Sequence, residues 1–341
     1  DTKNIGFDFG LFGNHLNGNI NYYINETRDL LITRRIAPSA GLDNPTLNVG
    51  KMRNQGFELE LNWNDKISDF EYNVGFNIST IANKVVALAN EDQTIYGVGL
   101  KYGSEHFPTQ TKVGKPIGAF YLYQADGIFQ SLEEVQAHKN SKGELLQPNA
   151  QPGDVRFKDM NGDGVIDEDD KTYSGTGIAK VEANLNLGAS YKGFDFSAVI
   201  GSAFGNKLYN GIRYYYEGMN SGSNFLKTTL NAWTPTNTKT DIPRAVFGDP
   251  NQNTRESTRF LENGDFVRLR QVQLGYTLPK ALSKHIYCES IRFYVSAENV
   301  FTITGYSGAN PEFSQGVLNS GIDRFTYPFS RSYTVGAQVS F

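Results

Sequence analysis

Strict alternation of apolar and polar residues, held for about ten residues at a time, is the feature that most constrains this chain. From Val181 to Tyr191 one face reads Val181, Ala183, Leu185, Leu187, Ala189, Tyr191, and the other reads Glu182, Asn184, Asn186, Gly188, Ser190. The last segment repeats the pattern, with Tyr333, Val335, Ala337, Val339 and Phe341 opposite Thr334, Gly336, Gln338 and Ser340. Ile5–Leu11, Leu16–Ile24, Phe57–Trp63, Phe70–Ile78, Phe194–Ile200 and Ile291–Ala297 behave alike. Asp265–Tyr276 is weaker, because Arg268 and Arg270 share parity with Val272 and Leu274. Period two cannot build a helical stripe, so the chain is expected to be all-β.

Strands of this pattern suit a soluble sandwich with one wet face, but three features favour a transmembrane antiparallel β-barrel. Ten residues exceed the usual strand and match a tilted membrane crossing. Aromatic residues crowd the strand ends (Tyr22, Tyr23, Tyr191, Tyr276, Tyr333, Phe341), as an interfacial girdle requires. Short connections at Phe12–His15, Trp63 to Phe70, Tyr191 to Phe194 and Tyr276 to Ile291 alternate with long ones at Asn25–Gln55, Ser79–Lys180, Gly201–Gly264 and Phe301–Arg331. That asymmetry is the one expected of periplasmic turns and extracellular loops. The segments number nine, whereas single-chain bacterial barrels have even strand counts. The expectation is a fragment or processed piece, incomplete on its N-terminal side, since neither an initiator methionine nor a signal peptide opens it.

Composition excludes several function classes. The formal net charge is −4, and the longest basic cluster is the pair Arg34-Arg35, which argues against nucleic-acid binding. The single cysteine, Cys288, excludes an internal disulfide framework and reads as a buried or wall-facing thiol. No run of about 18 apolar residues is present, so a membrane helix is not expected. His15, His106, His138 and His285 show no metal or triad spacing, so no enzyme is expected. Glu58 and Glu60 share a strand face about 7 Å apart. That pair fits glycoside hydrolysis, but it fits the wet wall of a barrel better.

The sharpest local motif runs from Asp159 to Asp170. Asp159, Asn161, Asp163, the Val165 carbonyl and Asp167 have the spacing of an EF-hand-type loop, with Gly164 at the sharp turn. Asp170 replaces the bidentate glutamate of the last position. The expectation is a structural calcium ion in a long extracellular loop (81–180). The alternative is an acidic turn held by Asx hydrogen bonds. Tyr214, Tyr215 and Tyr216 are weak candidates for stacking on sugar rings, or for packing against a lid protein.

One resemblance joins these pieces. Phe266-Val267-Arg268-Leu269-Arg270 leads into Leu274-Gly275-Tyr276-Thr277-Leu278-Pro279, followed by Ala297-Glu298-Asn299-Val300-Phe301-Thr302, Gly305-Tyr306, Asn310-Pro311-Glu312, Tyr327-Pro328 and Tyr333 to Phe341. Upstream stand Pro116-Ile117-Gly118, Asp126-Gly127-Ile128-Phe129 and Pro152-Gly153-Asp154 to Asp159. Nearly the whole chain thus resembles the C-terminal part of the SusC/RagA family of TonB-dependent transporters of Bacteroidetes, although Asn310 stands where that family more often has Asp. The resemblance implies the last nine strands of a 22-stranded outer-membrane barrel, whose plug domain and TonB box lie outside this sequence. It implies active import of a nutrient oligomer, glycan first and peptide second, with a SusD-like lipoprotein and the TonB complex as partners. Phe341 with Tyr333 resembles the C-terminal signal read by barrel-assembly machinery. A passive porin and a secreted calcium-dependent lectin-like β domain are the alternatives.

Overall fold

The structure is a computed structural model that describes residues 1–33 and 45–341 apart from 91, 98, 103, 221, 223, 286 and 314. Nine long strands follow one another in an antiparallel sheet in chain order. They are β1 (Thr2–Leu11), β2 (Leu16–Thr33), β3 (Thr46–Ile67), β4 (Phe70–Thr80), β5 (Val181–Tyr191), β6 (Phe194–Phe204), β7 (Phe266–Thr277), β8 (Ser290–Thr304) and β9 (Ser332–Ser340). Every alternating segment read from the sequence is one of them. The outermost strands, β1 and β9, do not pair with each other, so the barrel wall is open in this chain.

Register sorts the side chains into two faces. Leu185 lies between Phe76 and Ile200, Leu187 between Val74 and Ala198, and Tyr191 between Phe70 and Phe194. Residues on this face remain strongly exposed, Ile5 at 74% and Val335 at 84%, because nothing among the described residues covers them. The opposite face carries Asn19, Asn21, Asn62, Asn77, Asn184 and Asn186 in cross-strand neighbour positions. An apolar outside and an amide-lined inside are what a lipid-embedded wall requires.

The short turns have the conformations their sequences permit. Lys192 and Gly193 join β5 to β6 with φ of 47° and 88°, the two left-handed positions of a tight hairpin. A side chain at Gly193 would also meet the Thr277 carbonyl at 2.7 Å. The β7–β8 turn holds a six-residue helix, Lys280–His285, and buries Cys288.

Two sequence expectations need correction. The span Asn25–Gln55 is not simply a loop: β2 and β3 run to 18 and 22 residues and stay paired out to Thr33 and Thr46. Their outer parts carry Glu26, Arg28, Lys51 and Arg53 on the outward face, and these charges end the apolar alternation without ending the strand. Second, Arg268 and Arg270 do not share a face with Val272 and Leu274. Against β6 the adjacent Val199 and Ile200 pair with Gln271 and Leu269, so Arg270 is the extra residue of a bulge. The bulge turns both arginines inward while Leu269 and Val272 stay outward.

The connections at 81–180, 205–265 and 305–331 fold together. Leu100, Phe120 and Leu122 from the first, Tyr209, Tyr214 and Phe260 from the second, and Ile322 from the third form one fully buried cluster. Lys207–Asn210 pairs antiparallel with Leu261–Asn263 and parallel with Ile322–Asp323, so a small sheet also crosses from loop to loop. The result is a cap with its own core over one end of the wall.

The face assignment predicts a depth-dependent cost. Leu187→Arg should lose about 2–4 kcal/mol in a bilayer folding titration, and Asn186→Arg distinctly less. Equal losses at the two neighbours would reverse the assignment of the faces.

Candidate functional site: the inner wall and the loop cap

The inner wall is built from uncharged hydrogen-bonding groups with a few charged anchors. Glu60 accepts from Asn62 Nδ2 at 2.9 Å and Asn19 Nδ2 at 3.2 Å. Its carboxylate is thus engaged as part of the polar wall, and Glu58 shares its face two residues away on the same strand. On the same wall Asn184 Nδ2 donates to Asn77 Oδ1 at 2.9 Å. Such amide pairs leave further donors and acceptors pointing inward, where a hydroxylated or amide-bearing chain can compete for them.

Where wall meets cap, the two bulge arginines take hold of a loop. Arg268 is almost completely buried, and its Nη1 donates to Glu312 at 2.9 Å, Nη2 to Asn310 Oδ1 at 2.6 Å and Nε to Thr302 at 2.9 Å. Arg270 Nη2 reaches the other Glu312 oxygen at 2.9 Å. Asn310 also accepts from the Glu312 N–H and donates to its carbonyl. Asn310 thus accepts from Arg268 and, through its amide donor, closes the Asn310-Pro311-Glu312 turn. A polar cavity of about 410 Å³ opens beside this latch, lined by Glu182, Asn184, Asn206, Arg270 and Glu312.

Within the cap, buried ions bind one long connection to another. Asp154, wholly buried, accepts from Arg244 Nε at 2.8 Å and Nη2 at 3.1 Å, and from Asn253 Nδ2 at 3.0 Å. Gly153 beside it has φ of 92°, and an added Cβ would strike the Trp233 ring at 2.4 Å, so no other residue fits between the loops here. Glu256 accepts from Lys171 Nζ at 2.6 Å and pairs with the His106 ring. Burial opposes its charge, but His106 and Lys171 outweigh that and hold the carboxyl at about 2. These pairs were not legible in the sequence, because their members lie tens of residues apart with no spacing to mark them.

The candidate ligands of the acidic loop lie together, but their oxygens face the backbone. Asp159 accepts from the N–H groups of Gly162 at 2.6 Å and Gly164 at 2.9 Å, Asn161 from Asp163 at 2.9 Å, and Asp163 from Val165 at 2.9 Å. Asp167 accepts from Asp169 at 2.9 Å and caps the 3₁₀ turn Glu168–Asp170. Asp170 is fully buried and accepts from the N–H groups of Met160 at 2.6 Å and Asp167 at 2.8 Å. Among the described residues no group of three or more His, Cys, Asp or Glu side chains is arranged to hold a metal ion.

The aromatic candidates divide. Tyr214 is fully buried in the cap core and cannot stack on a ligand, and Tyr215 packs against that core. Tyr216 is half-exposed and meets the Phe325 ring edge-on at 5.6 Å. Phe120, Tyr123, Phe129 and Trp233 are also consumed by the cap interior, whereas Leu230 and Phe247 project at 83% and 84% exposure, with Phe225 less so. Tyr333 and Phe341 are both strongly exposed on the last strand and its end.

An apolar-out, amide-in antiparallel wall with a folded cap of long loops defines the class of membrane-spanning receptor barrels. Residues 1–300 match the family described as TonB dependent receptor-like, beta-barrel, and the chain belongs to that family. It is 30% identical over 99% of its length to TonB-dependent receptor P3 of Formosa agariphila, of which it covers 33%. To TonB-dependent receptor SusC of Bacteroides thetaiotaomicron it is 26% identical, covering 100% of this chain and 32% of the relative. Its fold is similar to a solved structure of the RagAB peptide transporter, with a TM-score of 0.77, 25% identity, and coverage of 100% of this chain and 35% of that one. The chain thus spans about a third of the length of the curated relatives it matches, and it is a SusC- and RagA-like piece of a TonB-dependent receptor barrel.

The latch makes a measurable demand. Arg268→Ala leaves Glu312 and Asn310 without their main donor, at about 1–3 kcal/mol. Limited proteolysis of the 305–331 connection should accelerate several-fold, while strand content stays unchanged.

Proposed function

We propose that the full-length protein imports a nutrient oligomer actively across the outer membrane, binding it between the inner wall and the cap. The single observation that carries this reading is the amide-lined inner face in a chain of TonB-dependent receptor type. Oligosaccharide is the first substrate class, since neutral amides and hydroxyls exchange hydrogen bonds with sugar hydroxyls at little desolvation penalty. Peptide is the second, favoured by the similarity to the RagAB peptide transporter. The residues described need do no covalent chemistry: they bind, orient and release. Energy comes from a TonB-type partner acting through parts of the protein outside this sequence.

Uptake of a labelled oligosaccharide by cells making the full-length protein should collapse by about tenfold or more when the proton-motive force is dissipated. Uptake that persists at full rate under the uncoupler identifies a passive porin instead.

A SusD-like lipoprotein is the proposed lid over the cap. Most of the cap's aromatics serve its own core, so the docking surface is the remainder: Phe225, Leu230 and Phe247 with the half-exposed Tyr216. Purification of the native protein in mild detergent should co-elute a second, lipidated chain, and Leu230→Glu together with Phe247→Glu should release it. A protein that runs alone before any substitution shows the cap to be self-sufficient.

Calcium in loop 159–170 completes the reading. Asp159, Asn161, Asp163, Asp167, Asp170 and the Val165 carbonyl supply hard oxygens that suit such an ion, and extracellular calcium saturates even weak sites. A bound ion would neutralise the carboxylates and fix the loop. Calcium should raise the protection of loop amides from hydrogen exchange, and Asp159→Ala should abolish the increase. Identical exchange with calcium and with chelator leaves the loop a metal-free acidic turn.

A further inference from the structure

Beyond the hydrocarbon layer, the extended β2–β3 pair carries a charged cluster on its outward face. Beyond the outward aromatic pair Tyr22 and Phe57, whose rings lie 5.0 Å apart, the same outward face turns basic. Glu26 sits at its centre, its side chain only 12% exposed, and accepts from Arg53 Nη2 at 2.6 Å, Lys51 Nζ at 3.0 Å and Arg28 Nη2 at 3.2 Å. Lys3 and Lys84 join this face through the register, Lys3 beside Ile24 and Lys84 directly opposite Arg53. Five cations therefore face outward around two carboxylates, Glu26 and Asp1, on a chain whose formal net charge is −4.

We propose that this outward cluster of Lys3, Arg28, Lys51, Arg53 and Lys84 seats the phosphate of an anionic lipid in the extracellular leaflet. The inference rests on reading the wall as membrane-spanning with its long connections outside. Its first support is depth. Glu26 and Arg53 lie four residues past the Tyr22 and Phe57 pair, about 13 Å along a strand and about 9 Å in height at a 45° tilt. That places the cations in the headgroup layer, with long side chains free to reach toward phosphate. The second support is repulsion. Arg53 and Lys84 are cross-strand neighbours of like charge, an arrangement that destabilises a sheet unless an anion lies between them. Lys84 has no ion pair among the described residues, so Glu26 does not resolve this contact. Glu26 organises the inner side of the ring, and the donors it leaves over point to the lipid. A proteinaceous lid has no access to this face, since headgroups surround it.

The test uses the full-length protein in phosphatidylcholine nanodiscs containing a minor fraction of lipid A, whose headgroup phosphates serve as the probe. Native mass spectrometry after gentle extraction reads the lipid A retained per protein. Retention by the unaltered protein is expected, with a loss of roughly tenfold or more in the double variant Arg53→Gln/Lys84→Gln. Lys84→Gln alone, which breaks no ion pair among the described residues, should lower retention at an unchanged melting temperature and so separates binding from folding. Equal retention by all three proteins overturns the proposal. Displacement of the lipid by millimolar inorganic phosphate also overturns it, because the site would then be one for free phosphate. A protein that cannot enter the nanodisc at all refutes the membrane-wall reading, and the lipid site falls with it.

Discussion

A backbone that crosses hydrocarbon must satisfy each of its N–H and C=O groups from within the protein, and the rest of this structure follows from that requirement. Eight consecutive antiparallel pairings among the nine strands meet it by the most local route available, since each strand bonds its neighbour in sequence. Pairing of this kind fixes register, and register fixes faces. A slip of one residue at Leu185 would put Asn184 and Asn186 into lipid and leucines into the water-filled interior. The alternation is therefore a condition for the fold and also the origin of its polar inner surface.

The same requirement decides what was legible in the sequence. All nine wall strands were readable because each must repeat the two-sided code for about ten residues to cross a membrane. The outer parts of β2 and β3 were missed because lipid no longer imposes that code there, and Glu26, Arg28, Lys51 and Arg53 occupy outward positions. Arg268 and Arg270 were misplaced by parity because a bulge against β6 adds one residue, and no spacing rule announces a bulge at an arginine. Once the bulge is seen, the family-like Arg268 and Glu312 become one device, joined across 44 residues of chain.

The cap illustrates a different limit. Its core draws on Leu100, Phe120, Tyr209, Tyr214, Phe260 and Ile322, which come from three separate connections and carry no common period. A run such as Tyr214-Tyr215-Tyr216 looks like a binding platform when read along the chain. In space the three rings have separate fates: one is sealed in the core, one packs against it and one reaches the surface. Aromatic richness in a long loop thus reports first on whether the loop folds on itself, and only the remainder informs on partners. The acidic loop behaves similarly. Its oxygen spacing is real, and backbone contacts from Gly162, Gly164, Asp163 and Val165 use one acceptor position on each of those oxygens, which spacing alone does not reveal.

Joining three connections into one cap has a mechanical consequence. Asp154 with Arg244, and Glu256 with Lys171 and His106, tie the 81–180 and 205–265 connections through buried charges. Parting such pairs exposes unpaired buried ions and costs several kcal/mol, so the two connections are held to move as one body. The Asn310-Pro311-Glu312 turn of the third connection is held differently, by Arg268 and Arg270 acting from the wall itself. Glu312 is partly exposed, so this tie is the weaker one and the more open to competition from a charged or polar ligand in the cavity beside it. Ile322 anchors the far part of that connection in the cap core, so a rearrangement that admits a ligand from the cap side to the inner wall is cheapest at the Asn310-Pro311-Glu312 turn, where the bulge places two cations on a single carboxylate.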